Sequence, residues 1–427
     1  MDKSVSRTLL LRISNIFSGL IVVLAIPFFL TPEQQGFYYS FSSLVAIQVF
    51  FELGLSQVLI YRFADLCQKS SSISHGNKLN SLLFASRIIY RVLAVLFFVV
   101  ASFAGLLFFQ SIPSAGIEWQ SPWLLLVFAT SINLAQSVKL AFIESIGDMH
   151  HVSVARLRAN IFGAMLFVLV LVLGGALWSA SVIPLVNGLY LTLWLYGHKS
   201  SSKYRIARKY ERAKPQELMR LWRSDVFPMQ WRISISWISG YLIFQLYTPI
   251  AMRCFGAVDA GKLGYLIAII SALTVLGSTF TSAIAPKLSS LYSAGMFSDY
   301  NATFDHSFRQ SASVLLVLFF LVNLGVYLCS LFLPVVSERL LPLKDVLLYS
   351  IIAYFSGIIF IFSIYLRSQQ KEPLLTLSVV VAVLMAASLF IGSFYSLTSM
   401  LLASLCVQAF ALAWCLYIVR ANRVKVL

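Results

Sequence analysis

The chain is a succession of apolar runs, each close to 20 residues long, parted by short polar breaks. A helix needs about 20 residues to cross about 30 Å of hydrocarbon. Barrel strands would alternate apolar and polar over about 10 residues, and that alternation is absent. The pattern predicts an all-α polytopic membrane protein with twelve transmembrane helices. The expected spans are 9–30, 37–61, 84–109, 122–146, 159–178 and 181–196, then 229–252, 263–284, 312–334, 346–366, 374–394 and 397–419. Only Ser179 and Ala180 part the fifth span from the sixth, and the eleventh and twelfth are joined nearly as tightly.

Composition agrees. Of 427 residues, 59% are hydrophobic and 11% charged, and the mean hydropathy is +0.85. No soluble domain of this length reads so apolar. The five cysteines are scattered without paired spacing, as small apolar residues or free thiols would be. Lys3 and Arg7 precede the first run without a small-residue cleavage site, so an uncleaved first span is expected.

The net charge of +16 would point to nucleic acid in a soluble protein. Here its distribution sets orientation instead, because loops rich in Lys and Arg stay on the cytoplasmic side. One side collects Lys3, Arg7, Arg62, Lys69, Lys78, Arg156, Arg158, Lys287, Arg309, Arg367, Lys371, Arg420, Arg423 and Lys425. It also holds the nine basic residues from Lys199 to Arg223. The other side holds Arg253, Lys262, Arg339 and Lys344. Both termini are therefore expected in the cytoplasm, with no nucleic-acid partner. The histidines sit in loops or at span edges without a metal-ligand pattern, and neither metal nor cofactor is expected.

The long basic segment divides the spans six and six. The expected domains are an N-terminal six-helix bundle (1–197), a basic cytoplasmic linker (198–227) and a C-terminal six-helix bundle (228–427). The linker suits a solvated connection and also anionic headgroups of membrane lipids. A faint echo joins the halves. Arg12, Ser14, Ser18-Gly19, Pro27 and Gly36-Phe37-Tyr38 match Arg232, Ser234, Ser239-Gly240, Pro249 and Gly264-Tyr265 in order, though not in spacing. Carriers with two parallel repeats bind their substrate between them.

Polar residues inside spans are the candidate functional groups. Arg12, Asn15 and Gly19 share one face of the first span at 100° per residue. Gln48, Glu52 and Ser56 follow at i, i+4, i+8 in the second. Arg87 and Arg91 open the third. Asn133, Ser137 and Glu144 share a face of the fourth, with Lys139 to the side. Arg232, Ser236 and Ser239 line the seventh; Ser271, Thr274, Ser278 and Ser282 line the eighth. Such hydroxyl stripes also serve close helix packing, and the arginines near the basic side also suit snorkelling. Together the first, second, fourth, seventh and eighth spans would line one cavity of net positive charge. That suits an anionic substrate, because Arg offers paired donors to phosphate.

Two segments carry a resemblance. FLTPEQQGFYYSFSSLVAIQVFFELGLSQVLI (29–60) and WRSDVFPMQWRISISWISGYLIFQLYTP (222–249) resemble the opening and mid-chain signatures of Wzx-like polysaccharide (O-antigen) flippases. These belong to the multidrug/oligosaccharidyl-lipid/polysaccharide (MOP) superfamily, with the multidrug and toxin extrusion (MATE) carriers and the lipid II flippases. The resemblance implies two six-helix bundles around a central cavity. It also implies movement of an undecaprenyl-pyrophosphate-linked oligosaccharide from the cytoplasmic to the periplasmic leaflet of the bacterial inner membrane. Arg232 and Glu52 lie inside the matching segments.

The sequence therefore predicts a lipopolysaccharide-type surface-polysaccharide flippase working by alternating access, and no enzyme. Arg232, Arg12 and Lys139, with Arg87 and Arg91, would hold the pyrophosphate. Glu52 and Glu144 would pair with these bases or carry a coupling proton. Asn15, Gln48, Asn133, Ser236 and Ser278 would contact sugar, and a polysaccharide polymerase or chain-length protein would be the partner. A drug or cation antiporter of the same superfamily would need membrane acids, which here do not outnumber the bases. A glycan polymerase or acyltransferase would need a sizeable outward loop, or a His with a nearby acid at the membrane face; the longest such loop, 110–121, is too small to fold alone, and His150-His151 has only Asp148 nearby. No Gly-rich phosphate loop of an ATP-driven transporter occurs.

Overall fold

The helices begin and break where local chemistry directs. The computed structural model describes residues 19–68, 73–113, 116–197, 222–333, 337–369 and 373–423. After α1 (Gly19–Phe29), Thr31 and Gln34 form a reciprocal cap. The Thr31 hydroxyl accepts from the Gln34 amide at 3.2 Å, and the Gln34 carboxamide oxygen accepts from the Thr31 amide at 3.0 Å. Pro32 takes the first helical position, where its missing N–H costs nothing. α2 (Pro32–Glu52) then runs until Leu53 and Gly54, both left-handed at φ 48° and 68°, and α3 (Leu55–Gln68) departs at 42°. The polar stripe expected through Gln48, Glu52 and Ser56 is therefore broken, with Ser56 beyond the bend.

Three further expectations are corrected. The helix that carries the fifth span, α6 (Met149–Val172), begins ten residues before the expected span start at 159. Arg156 and Arg158 lie on its exposed face while Val152 and Ala155 are buried, so the charges continue a helix rather than forming a loop. The fifth and sixth spans part not at Ser179-Ala180 but at Gly174, left-handed at φ 78°, as helix C-termini favour. A turn over Ala176–Trp178 follows before α7 (Ser179–Gly197). The seventh span is broken into α8 (Phe227–Phe244) and α9 (Tyr247–Phe255). Pro249 in the first turn of α9 has no N–H for the Gln245 carbonyl and crowds it, which ends the preceding helix.

The remaining helices are α4 (Ile73–Gln110), α5 (Gln120–Ile143), α10 (Ala257–Ser293), α11 (Phe297–Phe332), α12 (Leu343–Ser368), α13 (Leu375–Ser393) and α14 (Leu397–Asn422). The chain is an all-helical, multi-span membrane protein. Among the described residues eight helical stretches are long and apolar enough to cross a membrane, or nine counting the bent α2–α3 pair. The expected twelve is larger because α5 and α6 pass as one 53-residue stretch through a π turn at Glu144–Asp148, and because neither α1 nor α8 nor α9 passes alone.

Two compact units result. The N-terminal unit comprises 41–241 and the C-terminal unit comprises 1–40 with 242–427, so the divisions fall inside α2 and α8. The six-plus-six partition remains a proposal, and the expected linker (198–227) lies outside the described residues as far as 221.

In the N-terminal unit, amides join helices through backbone. Asn133 of α5 donates to the Pro184 carbonyl of α7 at 2.7 Å, and Gln136 donates to that of Gly188 at 2.9 Å. Asn187 of α7 bonds Asn160 of α6 at 2.9 Å. Phe41, Phe109 and Trp123 pack ring to ring, with centroids 5.0–5.5 Å apart.

In the C-terminal unit, α2 and α10 cross at glycine. A Cβ on Gly36 would lie 1.9 Å from the Ala257 carbonyl oxygen, and one on Gly264 would lie 2.4 Å from the Tyr39 Cβ. Gln35 donates to the Gly261 carbonyl at 3.0 Å. Leu315 of α11 wedges against Gly277 of α10 and Gly357 of α12, where added Cβ atoms would lie 2.4 and 2.9 Å from its methyls. That fixes the three helices, and with them one face of α10 turned elsewhere.

Candidate substrate-binding site

The other face of α10 carries the hydroxyl stripe Ser271, Thr274, Ser278 and Ser282, and it forms one wall of a cavity of about 630 Å³ inside the C-terminal unit. Tyr247 of α9, Tyr349, Ile352 and Ser356 of α12, Met385 of α13 and Gln408 of α14 complete the lining. Phe244, Val275 and Phe360 at its rim are exposed. The volume falls within the range of small-molecule sites, about 300–1,000 Å³. Among the described residues no lining residue is an acid or a base.

Four of the lining hydroxyls donate to backbone. Thr274 donates to Ile270 O at 2.7 Å, Ser278 to Val275 O at 3.1 Å, Thr279 to Val275 O at 2.8 Å and Ser356 to Ile352 O at 3.0 Å. The oxygens keep their lone pairs. Gln408 is 3% exposed and donates through Nε2 to the Ser356 oxygen at 2.8 Å. Its Oε1 is buried without a partner.

The charged candidates lie elsewhere. Glu52, 9% exposed, ends α2 and accepts from the Tyr90 hydroxyl at 3.2 Å. Gln48 is half-buried one turn earlier. Arg87 is half-buried and Arg91 exposed on α4, and Lys139 is half-buried on α5. Arg232 is exposed on α8, its guanidinium carbon 5.7 Å from the centroid of the adjacent Trp231 ring. Ser236 is half-buried one turn on. Glu144 is held by Arg156, which was not among the bases expected to pair with it, at 2.9 Å. Asn133 spends its amide on Ala129 and Pro184 carbonyls. Arg12 and Asn15 lie outside the described residues.

Of the expected site residues that are described, the cavity gathers Ser278 alone. Gln408, Ser356, Tyr247 and Tyr349 were not expected from the sequence. Gln408 left a signal, a carboxamide inside an apolar span; the tyrosines resemble ordinary core aromatics.

No family model and no curated protein matches the sequence. Solved structures do match. The chain is similar to an inward-facing multidrug resistance MATE family transporter of the MOP superfamily, with a TM-score of 0.67 at 14% identity over 96% of this chain and 95% of that one. It is also similar to the lipid II flippase MurJ in an inward closed conformation, with a TM-score of 0.64 at 16% identity over 98% and 88%. The chain has the MATE-like MOP fold. A third likeness is to a MOP superfamily transporter from Pyrococcus furiosus described as having a binding pocket of reversed polarity, with a TM-score of 0.55 at 13% identity over 99% and 97%. Within one MOP fold, pocket chemistry therefore varies, and this chain's own residues must say what its pocket takes.

Proposed function

We propose that the protein is a MOP-type flippase that carries an undecaprenyl-pyrophosphate-linked oligosaccharide from the cytoplasmic to the periplasmic leaflet by alternating access. The observation that supports it most is the hydroxyl-walled cavity of the C-terminal unit, uncharged among its described lining residues. A carrier of cationic drugs needs a carboxylate where its cargo lies, because an unpaired charge in such a site is costly. A carrier of glycans needs polar atoms without charge. The exposed Arg232, with Arg12, Lys139, Arg87 and Arg91, supplies the cations for pyrophosphate in this reading. The distribution of Lys and Arg supports inner-membrane placement with both termini cytoplasmic. A polymerase or chain-length protein would take up the delivered glycan.

Deletion of the gene tests the reading. Complete lipid-linked repeat units should accumulate facing the cytoplasm, as judged by their resistance to an external glycan-modifying enzyme. Unchanged periplasmic delivery refutes it.

The second reading, a drug or cation antiporter, draws on the MATE likeness and on the buried carboxylate of Glu52. Resistance to cationic dyes on expression, with no glycan effect, would favour it.

A further inference from the structure

We infer that the cavity of the C-terminal unit is a subsite for the neutral, hydroxyl-bearing part of the cargo, a sugar ring, and not for its pyrophosphate. The inference rests on the flippase reading and assigns a division of labour within it.

Hydrogen-bond polarity decides the ligand. The Thr274, Ser278 and Thr279 protons point to backbone carbonyls, so these oxygens face the cavity as acceptors. Gln408 Oε1 is a buried acceptor that no described donor reaches. Leaving such an atom unsatisfied costs about 1–3 kcal/mol, and a donor that reaches it once the carboxamide turns toward the cavity removes that cost. Pyrophosphate presents acceptors only, and among the described residues of the lining it finds no cation. An organic cation would donate, but no carboxylate among the described lining residues balances it. A sugar ring donates through several hydroxyls without charge. Its apolar faces meet Tyr247 and Tyr349, whose rings stand edge to face at 5.7 Å.

The test uses the full chain purified in nanodiscs. Three probes are compared: the lipid-linked glycan extracted from the deletion strain, undecaprenyl pyrophosphate without glycan, and rhodamine 6G as a cation. Gln408→Leu removes the orphan acceptor, and Thr274→Val removes a hydroxyl at constant shape. Each should weaken binding of the glycan-bearing lipid about three- to tenfold, the size of one neutral hydrogen bond. Binding of the bare lipid should stay within about twofold. Unfolding midpoints monitor folding; if Gln408→Leu fails to fold, Thr274→Val decides. Equal loss for both lipids, no loss for either, or rhodamine binding that depends on Gln408 overturns the subsite. A wild type with no preference for the glycan-bearing lipid also overturns it. Glycan accumulation in the deletion strain is read separately, so a flippase that grips only the lipid pyrophosphate would pass that assay and fail this one.

Discussion

The Tyr90 hydroxyl of α4 donates to Glu52 Oε1 of α2 across 3.2 Å, with the phenol fully buried and the carboxylate 9% exposed. A carboxylate so enclosed is held by few partners, and each one matters. Tyr90→Phe should destabilise the protein by about 1–3 kcal/mol, since it strips a donor from a buried acid. Glu52→Gln removes the charge and keeps an oxygen for Tyr90, so it should fold with a nearly unchanged melting temperature. If Glu52 carries the coupling proton, Glu52→Gln abolishes the dependence of glycan export on the proton gradient. Export that still collapses with the gradient in that variant removes Glu52 from the coupling role.

Gly36 and Ala257 set a second test. Gly36→Ala would place a methyl 1.9 Å from a carbonyl oxygen, forcing α2 and α10 apart. The expected cost is about 1–3 kcal/mol, as for other overpacked sites. Gly240→Ala, where no atom lies within 4 Å, should be neutral or stabilise α8 by up to about 1 kcal/mol. Thermal unfolding of the two variants side by side checks the contrast.

The Glu144–Arg156 pair fixes the corner between α5 and α6. Arg156 is 49% exposed, so solvent screening keeps the interaction near the surface value of about 0–1 kcal/mol. A double-mutant cycle with Glu144→Gln and Arg156→Ala should return a coupling energy in that range. A coupling of several kcal/mol would mean that the corner is far drier than the exposed guanidinium indicates.

Arg232→Ala should leave protein level and melting temperature unchanged, because the side chain is exposed and removes no buried contact. Surface polysaccharide should be lost. Full export by this variant withdraws Arg232 from the pyrophosphate site.

The helical class and most spans were legible because an apolar run about 20 residues long matches the thickness of a bilayer and little else. The stripe on α10 was legible for a related reason: period 3.6 places Ser271, Thr274, Ser278 and Ser282 on one face, and that face lines the cavity. Breaks were less legible. Gly174 and Pro249 carry local signals, yet hydropathy averages across them. Helices also outrun their apolar stretches, as at Met149, because charges such as Arg156 and Arg158 on an exposed face do not stop a helix. Side-chain pairing was least legible: nothing in the spacing shows that Glu144 meets Arg156, or that Asn133 would be spent on Pro184 rather than left for a ligand.

The bend after Glu52 has a consequence for assembly. Leu53 is left-handed, and its carbonyl oxygen lies 3.0 Å from the Ser234 hydroxyl, 181 residues further along the chain, which shares its one proton with the Gln230 carbonyl at 2.8 Å. Gly54 beside it has no side chain, and Ile233 occupies the space, with Cγ2 2.3 Å from where a Cβ would lie. Neither contact exists when the ribosome delivers the second span to the membrane. That span must enter straight or with an unsatisfied carbonyl, and it takes its final angle only after α8 arrives. The second span is thus inserted well before α8, and its final shape depends on a segment made much later.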